Sequence, residues 1–325
     1  GRAALGTFHP EVAMLLNRLG NYYFETEDFD SALLTYEEGL VIEQKVFEET
    51  HPNIIVTYSN IGEIYRQKRD YDRAIKLYTQ AMKLQRLRHG PNSPEVAGAL
   101  NVIGLIYDQK GESALAVQYL QEALVIRRNA LGDRHPDVAA TITYLGTVLF
   151  KRNMVSAALN LFYESMEIRI KKLGRKNRDV AFSLYNIGLC HQAQGDNKEA
   201  MAWFTETLRI EESIVGGDHR DIAVTLGKLG ESYVSENLLE DGMTAHRKAL
   251  AIERRSIDSD PTAVAKTLNA IGNIHLLRGE VGPMMEAFVE SGRLFRAAGY
   301  SLSSVKISAA LKLQLASLLP SAAAA

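Results

Sequence analysis

The sequence predicts an all-α solenoid of seven helix-turn-helix repeats with a C-terminal capping helix. Three observations lead there. A glycine returns every 42 residues, at Gly20, Gly62, Gly104, Gly146, Gly188, Gly230 and Gly272, each time after Leu or Ile. Other columns keep the same period around it. Apolar residues also recur three and four apart, as in Val138, Ile142, Leu145, Val148 and Leu149, the spacing of one helical face. Equal intervals of this kind mark a repeat array, a reading that precedes any single motif.

Three residues after the glycine stand Tyr23, Tyr65, Tyr107, Leu149, His191, Tyr233 and His275. Twelve after it come Ala32, Ala74, Ala116, Ala158, Ala200, Gly242 and Met284, and sixteen after it Tyr36, Tyr78, Leu120, Phe162, Phe204, His246 and Phe288. Glycine inside a helix costs about 1 kcal/mol relative to alanine, so seven of them need a shared reason. Without a β-carbon, the first helix of each unit lets the second approach closely. The small residue then faces that contact, and the aromatic fills the remaining volume.

In the first unit His9-Pro10 opens helix A, with proline where its missing N–H matters least. The helix runs to about Glu25, Asp28 or Asp30 caps helix B, and helix B continues to about Phe47. The units span 9–50, 51–92, 93–134, 135–176, 177–218, 219–260 and 261–302. Asn177-Arg178 and His219-Arg220 replace His-Pro in the fifth and sixth, Pro261 falls one residue early, and Gly282-Pro283 opens the last helix B where others carry polar caps. Within residues 303–325, Ser303 to Leu319 reads as a capping helix with an Ile307, Leu311, Leu315 and Leu318 stripe. Gln314 stands in the glycine register, where a polar residue forbids another close contact and closes the array. Residues 1–8 read as the tail of an upstream partial repeat, because Ala4-Leu5-Gly6 matches Ala130-Leu131-Gly132 in register.

Composition sets the bounds. At 325 residues the chain exceeds a single hydrophobic core, a limit that a solenoid escapes because each repeat contacts only its neighbours. A net charge of −2 exerts no general pull on nucleic acid or anionic membrane. The lone Cys190 excludes an internal disulfide framework. It shares a column with Tyr22, Ile64, Ile106, Val148 and Ile274, so it is expected as a small buried apolar residue. No apolar run reaches the roughly 18 residues of a membrane span. These features point to an intracellular, cytoplasmic protein without direct membrane insertion or cofactor.

The order Leu-Gly-x-x-Tyr, small residue, aromatic resembles the tetratricopeptide repeat, a pair of antiparallel helices. The 42-residue unit and the linker Leu131, Gly132, His135, Pro136, Val138, Ala139 are similar to kinesin light chains and their relatives. The resemblance covers about residues 9 to 298 and implies a right-handed superhelical solenoid.

Chemical motifs have plainer explanations. His9, His51 and His135 are equivalent positions in stacked units, with neighbouring helices about 8–10 Å apart. They cannot converge on one zinc, whose histidine ligands lie at about 2.0–2.1 Å. His219-Arg220-Asp221 matches the catalytic-loop triplet of protein kinases, yet it lies in a repeat linker without the downstream asparagine, and Gly216-Gly217 is an isolated pair. Cys190 and His191 diverge by about 100° on their helix. No catalytic or metal site is expected. Arg169, Lys171, Lys172, Arg175, Lys176 and Arg178 form a basic run. It reads first as a solvated ridge favoured by the helix dipole, and second as a docking patch for an acidic partner. Nucleic acid is not expected there, since no aromatics interleave with the run.

The resemblance implies a concave groove lined by helix A, through positions two and three before the glycine and one, four and five after it. Carried over, this gives Asn17, Asn60, Asn101, Asn186 and Leu189 among the lining residues. Kinesin light chains use groove asparagines, which implies that Asn60, Asn101 and Asn186 hold the backbone of an extended peptide through donor and acceptor atoms. A basic clamp for acidic peptides is only partly present, with Arg18, Arg66 and Lys151 offset by Glu25, Glu63 and Asp108. Repeats four and five instead offer Tyr144, Phe150, Phe182 and Tyr185, and aromatics of this kind are enriched at binding hot spots. The expected function is a non-catalytic interaction scaffold or adaptor, kinesin-light-chain-like, holding a partner peptide or helix in the groove. The alternatives are the sensor region of a larger signalling ATPase and a structural subunit of a large assembly.

Overall fold

The computed structural model describes residues 8–256 and 260–300. Among these residues the chain forms fourteen helices and no strand. They are α1 (Pro10–Glu25), α2 (Phe29–Val46), α3 (Pro52–Gln67), α4 (Tyr71–His89), α5 (Pro94–Lys110), α6 (Ser113–Leu131) and α7 (Pro136–Lys151). There follow α8 (Val155–Leu173), α9 (Arg178–Gln194), α10 (Asn197–Val215), α11 (Arg220–Ser235), α12 (Leu239–Arg255), α13 (Pro261–Leu277) and α14 (Val281–Ala297). Odd-numbered helices are the A helices and even-numbered ones the B helices. The chain divides between Ile168 and Arg169, within α8, into two compact units. The expected capping helix from Ser303 and most of the upstream tail lie outside the described residues. No helix among the described residues is long and apolar enough to cross a membrane.

Every A helix starts on a side-chain cap. The Nδ1 atoms of His9, His51, His135 and His219 accept from the backbone N–H two residues on, at 3.1–3.3 Å. Ser93, Asn177 and Asp260 do the same work at the three units without His. The His-Pro departures therefore conserve an acceptor for an otherwise orphaned N–H. Among the B helices, Asp28 and Asp70 cap through their carboxylates, whereas Glu112, Asp196, Leu238 and Glu280 make no side-chain cap bond.

The A-to-B turn always passes through a left-handed residue seven positions after the glycine. It is Glu27, Arg69, Gly111, Asn153, Gly195, Asn237 or Gly279, with φ between 59° and 89°. This puts B antiparallel to A with no more than one other turn residue on either side.

The periodic glycine is explained by what lies over it. A β-carbon there would stand 2.6 Å from Tyr36, 3.0 Å from Tyr78, 2.9 Å from Leu120, 2.8 Å from Phe162 and 2.7 Å from each of Phe204, His246 and Phe288. The large residue sixteen positions on thus occupies the space directly above the glycine, rather than filling what a small residue leaves. The alanines of the small column are fully buried beside it. His246 takes the aromatic place in the sixth pair, and burial lowers its basicity so that a neutral ring packs there.

Val12, Ala13 and Ile42 cluster within the first pair and Ala265 with Phe295 within the last, whereas the larger cores are shared between pairs. One cluster runs from Ala74 and Tyr78 on α4 to Ile103 on α5 and Ile126 on α6. A second joins α6 through Leu120 to Ile142 on α7 and Ile168 on α8. In the other unit Phe204 on α10 meets Leu226 on α11 and Ile252 on α12. In these clusters a B helix packs on the pair that follows it, the nearest-neighbour stabilisation of repeat arrays. Cys190 is buried in its apolar column, and burial pushes its thiol up to about 12.

Candidate functional site: the helix-A face

Between successive pairs the apolar core gives way, towards the A helices, to a ladder of polar residues. Glu43, Arg127, Arg169, Glu211 and Glu253 recur on the B helices, each facing a hydroxyl fourteen residues later on the next A helix. Glu43 accepts from Thr57 at 2.8 Å, Arg127 donates to Thr141 at 2.8 Å, and Arg169 donates to Ser183 at 2.8 Å. Glu211 accepts from Thr225, and Glu253 from Thr267 at 3.1 Å. Burial raises the carboxyls of Glu43 and Glu253 and lowers Arg127, because each charged form is partly desolvated. The sequence carries the signal for this ladder as one more 42-residue column, which a reading centred on glycines and aromatics passes over.

The ladder changes the standing of the expected groove asparagines. Asn17 donates to Glu43 at 2.7 Å and to Thr57 at 3.0 Å, so it ties α1 to α2 and α3. Asn101 is only 4% exposed and donates to Thr141 at 3.0 Å, joining α5 to α7. Asn186 is buried and returns its amide to the carbonyl of Phe182 at 2.7 Å. The amide nitrogens of all three are thus engaged within the fold. Asn60 differs: it lines a cavity of about 130 Å³ with Asn21, Phe24, Glu25, Tyr36 and Glu63.

The basic run is also redistributed. Arg169 is 6% exposed, with its guanidinium donating to Ser183 and, at 2.9 Å, to the carbonyl of Asp179. Arg178 donates to Asp221 at 2.8 Å. The exposed basic residues are thus Lys171, Lys172, Arg175, Lys176 and the ion-paired Arg178, one fewer than expected, because α8 turns Arg169 inward. Two of the three clamp cations are internally matched, Lys151 with Asp108 at 2.6 Å and Arg66 with Glu63.

The expected aromatics divide between the two units. In the first, Tyr144 is exposed and Phe150 half-buried on α7. In the second, Phe182 and Tyr185 line one cavity of about 320 Å³ among α9, α10 and α11. Phe182 is 48% exposed, whereas Tyr185 is half-buried, its ring tilted against Phe204 at 5.7 Å. Burial pushes the Tyr185 hydroxyl up to about 12. Leu189, one turn further, packs on the same apolar cluster as Tyr185 and belongs to the core edge. Sequence reasoning did not single out Glu211, Val224 and Thr225, and met Asp221 only in the His219-Arg220-Asp221 triplet; these complete the cavity with Arg178 and Asp179. Glu211 has its carboxyl pushed up to about 7, chiefly by burial and further by Asp221, against the opposing pull of Thr225 and Arg178.

No group of three or more metal-ligating side chains converges among the described residues. Within the second unit two neighbouring cavities, of about 320 and 370 Å³, open among α9 to α13 with both apolar and polar walls.

Comparison with known proteins bears on this architecture. The tetratricopeptide repeat family model matches residues 11–87, 53–129, 95–171 and 179–241. No curated protein matches the chain. Among solved structures, BtubC (BKLC) from P. vanneervenii is 16% identical, with a TM-score of 0.60 over 75% of this chain and 95% of that one. The nearly identical TPR-like repeats assigned to a kinesin light chain of Podosopora anserina are 19% identical, with a TM-score of 0.54 over 64% of this chain and 98% of that one. A tetratricopeptide repeat protein from Parabacteroides merdae is 16% identical, with a TM-score of 0.59 over 95% and 98%. At these identities the likeness is one of fold. With the family model covering well over half of its residues, and with fourteen helices in consecutive pairs among the described residues, the chain belongs to the tetratricopeptide repeat family.

Proposed function

We propose that the chain is a non-catalytic interaction scaffold or adaptor, kinesin-light-chain-like in repeat type, that holds a segment of a partner protein along its helix-A face. One observation carries the reading: Phe182, almost half exposed, stands beside a cavity large enough for a side chain, although the core has no use for its ring. Large exposed aromatics next to concave, partly polar pockets are where binding energy concentrates. Tyr144 offers a comparable exposed ring on α7 of the other unit. The partner is a protein segment rather than a small substrate, because the two cavities of the second unit follow one another along its A helices. Cys190, the one thiol, is buried and held protonated, which removes it as a nucleophile.

The test is a pull-down with the purified chain as bait, repeated with Phe182→Ala and Tyr144→Ala. Both substitutions are at exposed rings, so the melting temperature should stay within a degree or two of the parent. Loss of the same captured protein from either variant supports the helix-A face. Full retention in both, with hydrogen-exchange protection confined to the B helices, removes the proposal.

A further inference from the structure

We propose that the cavity among α9, α10 and α11 seats a basic side chain, arginine or lysine, of the partner segment. The inference rests on the scaffold reading above and names the chemistry of what is held. Phe182, Tyr185 and Val224 make apolar walls, and Asp179, Asp221 and Glu211 contribute three carboxyl groups. The single guanidinium among the wall residues, that of Arg178, already donates to Asp221 at 2.8 Å. Acid therefore exceeds base in the cavity, and the positive charge present is matched.

The floor supplies an independent sign of a missing donor. Glu211 gives one oxygen to Thr225, while its Oε2 is buried with no hydrogen-bond partner among the described residues. A buried acceptor left unmade is costly, and it becomes a source of affinity when a ligand brings the donor. An arginine fork or a lysine ammonium would meet that oxygen while its alkyl stem lies on Val224 and its charge faces the rings, an arrangement that cation–π attraction favours. With the carboxyl of Glu211 raised to about 7, the empty pocket tolerates its burial as the neutral acid, and an arriving cation draws it to the carboxylate.

The following pair of helices shows why this pocket differs from its neighbour. A cavity of about 370 Å³ holds the equivalent Glu253, whose Oε2 also lacks a partner. There Gly227 replaces Tyr185 and Lys266 replaces Val224, and Lys228 joins them. The rings are gone and the basic groups balance the acidic ones, so a cation gains neither stacking nor net attraction.

The experiment uses random dodecapeptides displayed on phage, selected on the purified chain and counter-selected on Phe182→Ala. Recovered peptides are synthesised with each Arg replaced by citrulline and each Lys by norleucine, and titrated by fluorescence anisotropy. One basic position should matter, its replacement weakening binding by about tenfold or more. In Glu211→Gln the same replacement should change affinity by less than about twofold, whereas in the exposed control Glu212→Gln the full effect should persist. Phe182→Ala, at a surface ring, keeps the test open if Glu211→Gln fails to fold. Peptides that need Phe182 but show no basic preference, or whose basic residue matters equally in Glu211→Gln, overturn this inference and leave the scaffold reading standing. Failure to recover any peptide dependent on Phe182 overturns the use of this pocket altogether, and failure also at Tyr144 counts against the scaffold reading.

Discussion

Arg169 donates to the hydroxyl of Ser183 at 2.8 Å, from α8 to α9, and to the carbonyl of Asp179 at 2.9 Å. A residue that opens a basic run in the sequence thereby holds one helix pair to the next. Arg169→Ala would remove both charge-assisted bonds, with Ser183 Oγ still donating to the Asp179 carbonyl at 3.1 Å, at a cost of about 1–3 kcal/mol. Lys171→Ala, two positions on and exposed, should stay within about 0.5 kcal/mol. Urea denaturation of the two variants compares them directly; equal midpoints would mean that the buried bonds contribute nothing.

Gly146 lies under the ring of Phe162, where a β-carbon would come within 2.8 Å of Cε1. Gly146→Leu should overpack this contact and destabilise by about 1–3 kcal/mol. An unchanged melting temperature would contradict the packing role of the glycine column.

The left-handed turn offers the opposite sign. Arg69 holds φ 59° at an exposed position, while Gly111 takes the same place in the next pair. Non-glycine residues carry a penalty of about 1–2 kcal/mol in this region. Arg69→Gly should therefore stabilise by up to about 1 kcal/mol, and Gly111→Ala should destabilise by a similar amount, both read as shifts in urea midpoint.

Glu211 predicts a pH dependence of stability. Its folded carboxyl titrates near 7, above the ordinary range, so the fold favours the protonated acid. Its contribution is fully present below the usual carboxylate range, is lost as pH rises towards 7, and changes no further above that. The facing groups are Arg178, Asp179 and Tyr185 from α9 and Asp221 and Thr225 from α11. Glu211→Gln cannot ionise, so its melting temperature should gain on the parent between about pH 5 and 8. Parallel curves for parent and variant would show that Glu211 titrates normally.

Tyr185 and Phe182 should separate stability from binding. Tyr185 packs on Phe204, so Tyr185→Ala loses buried ring contact and should lower stability by about 1–3 kcal/mol, less than a fully buried aromatic would. Phe182→Ala should leave the melting temperature nearly unchanged. Calorimetry on the pair would reject this division if both fell alike.

Much of the fold is legible in the residues because the period repeats local chemistry. His9-Pro10 marks a helix start from its own side chain and its own fixed φ, and the same cap recurs as Asn177 or Asp260 with no help from elsewhere in the chain. Gly188 and Phe204 lie sixteen residues apart in one hairpin, so their columns announce the contact between them. The site was less legible. Phe182 and Tyr185 share a cavity as neighbours on one helix face, but Glu211 joins them from another helix, and nothing in its immediate sequence separates it from the adjacent Glu212.

The sequence by itself determined the all-α repeat, its 42-residue unit and the close approach of A and B helices, since these follow from spacing along one hairpin. The tertiary structure alone decided which polar side chains remain available. Asn101 is taken by Thr141 forty residues away and Asn60 is not; Arg169 points inward and Lys171 outward. A partner on the next repeat and the roughly 100° turn per helical residue settle those outcomes, and neither is written in the identity of the residue concerned.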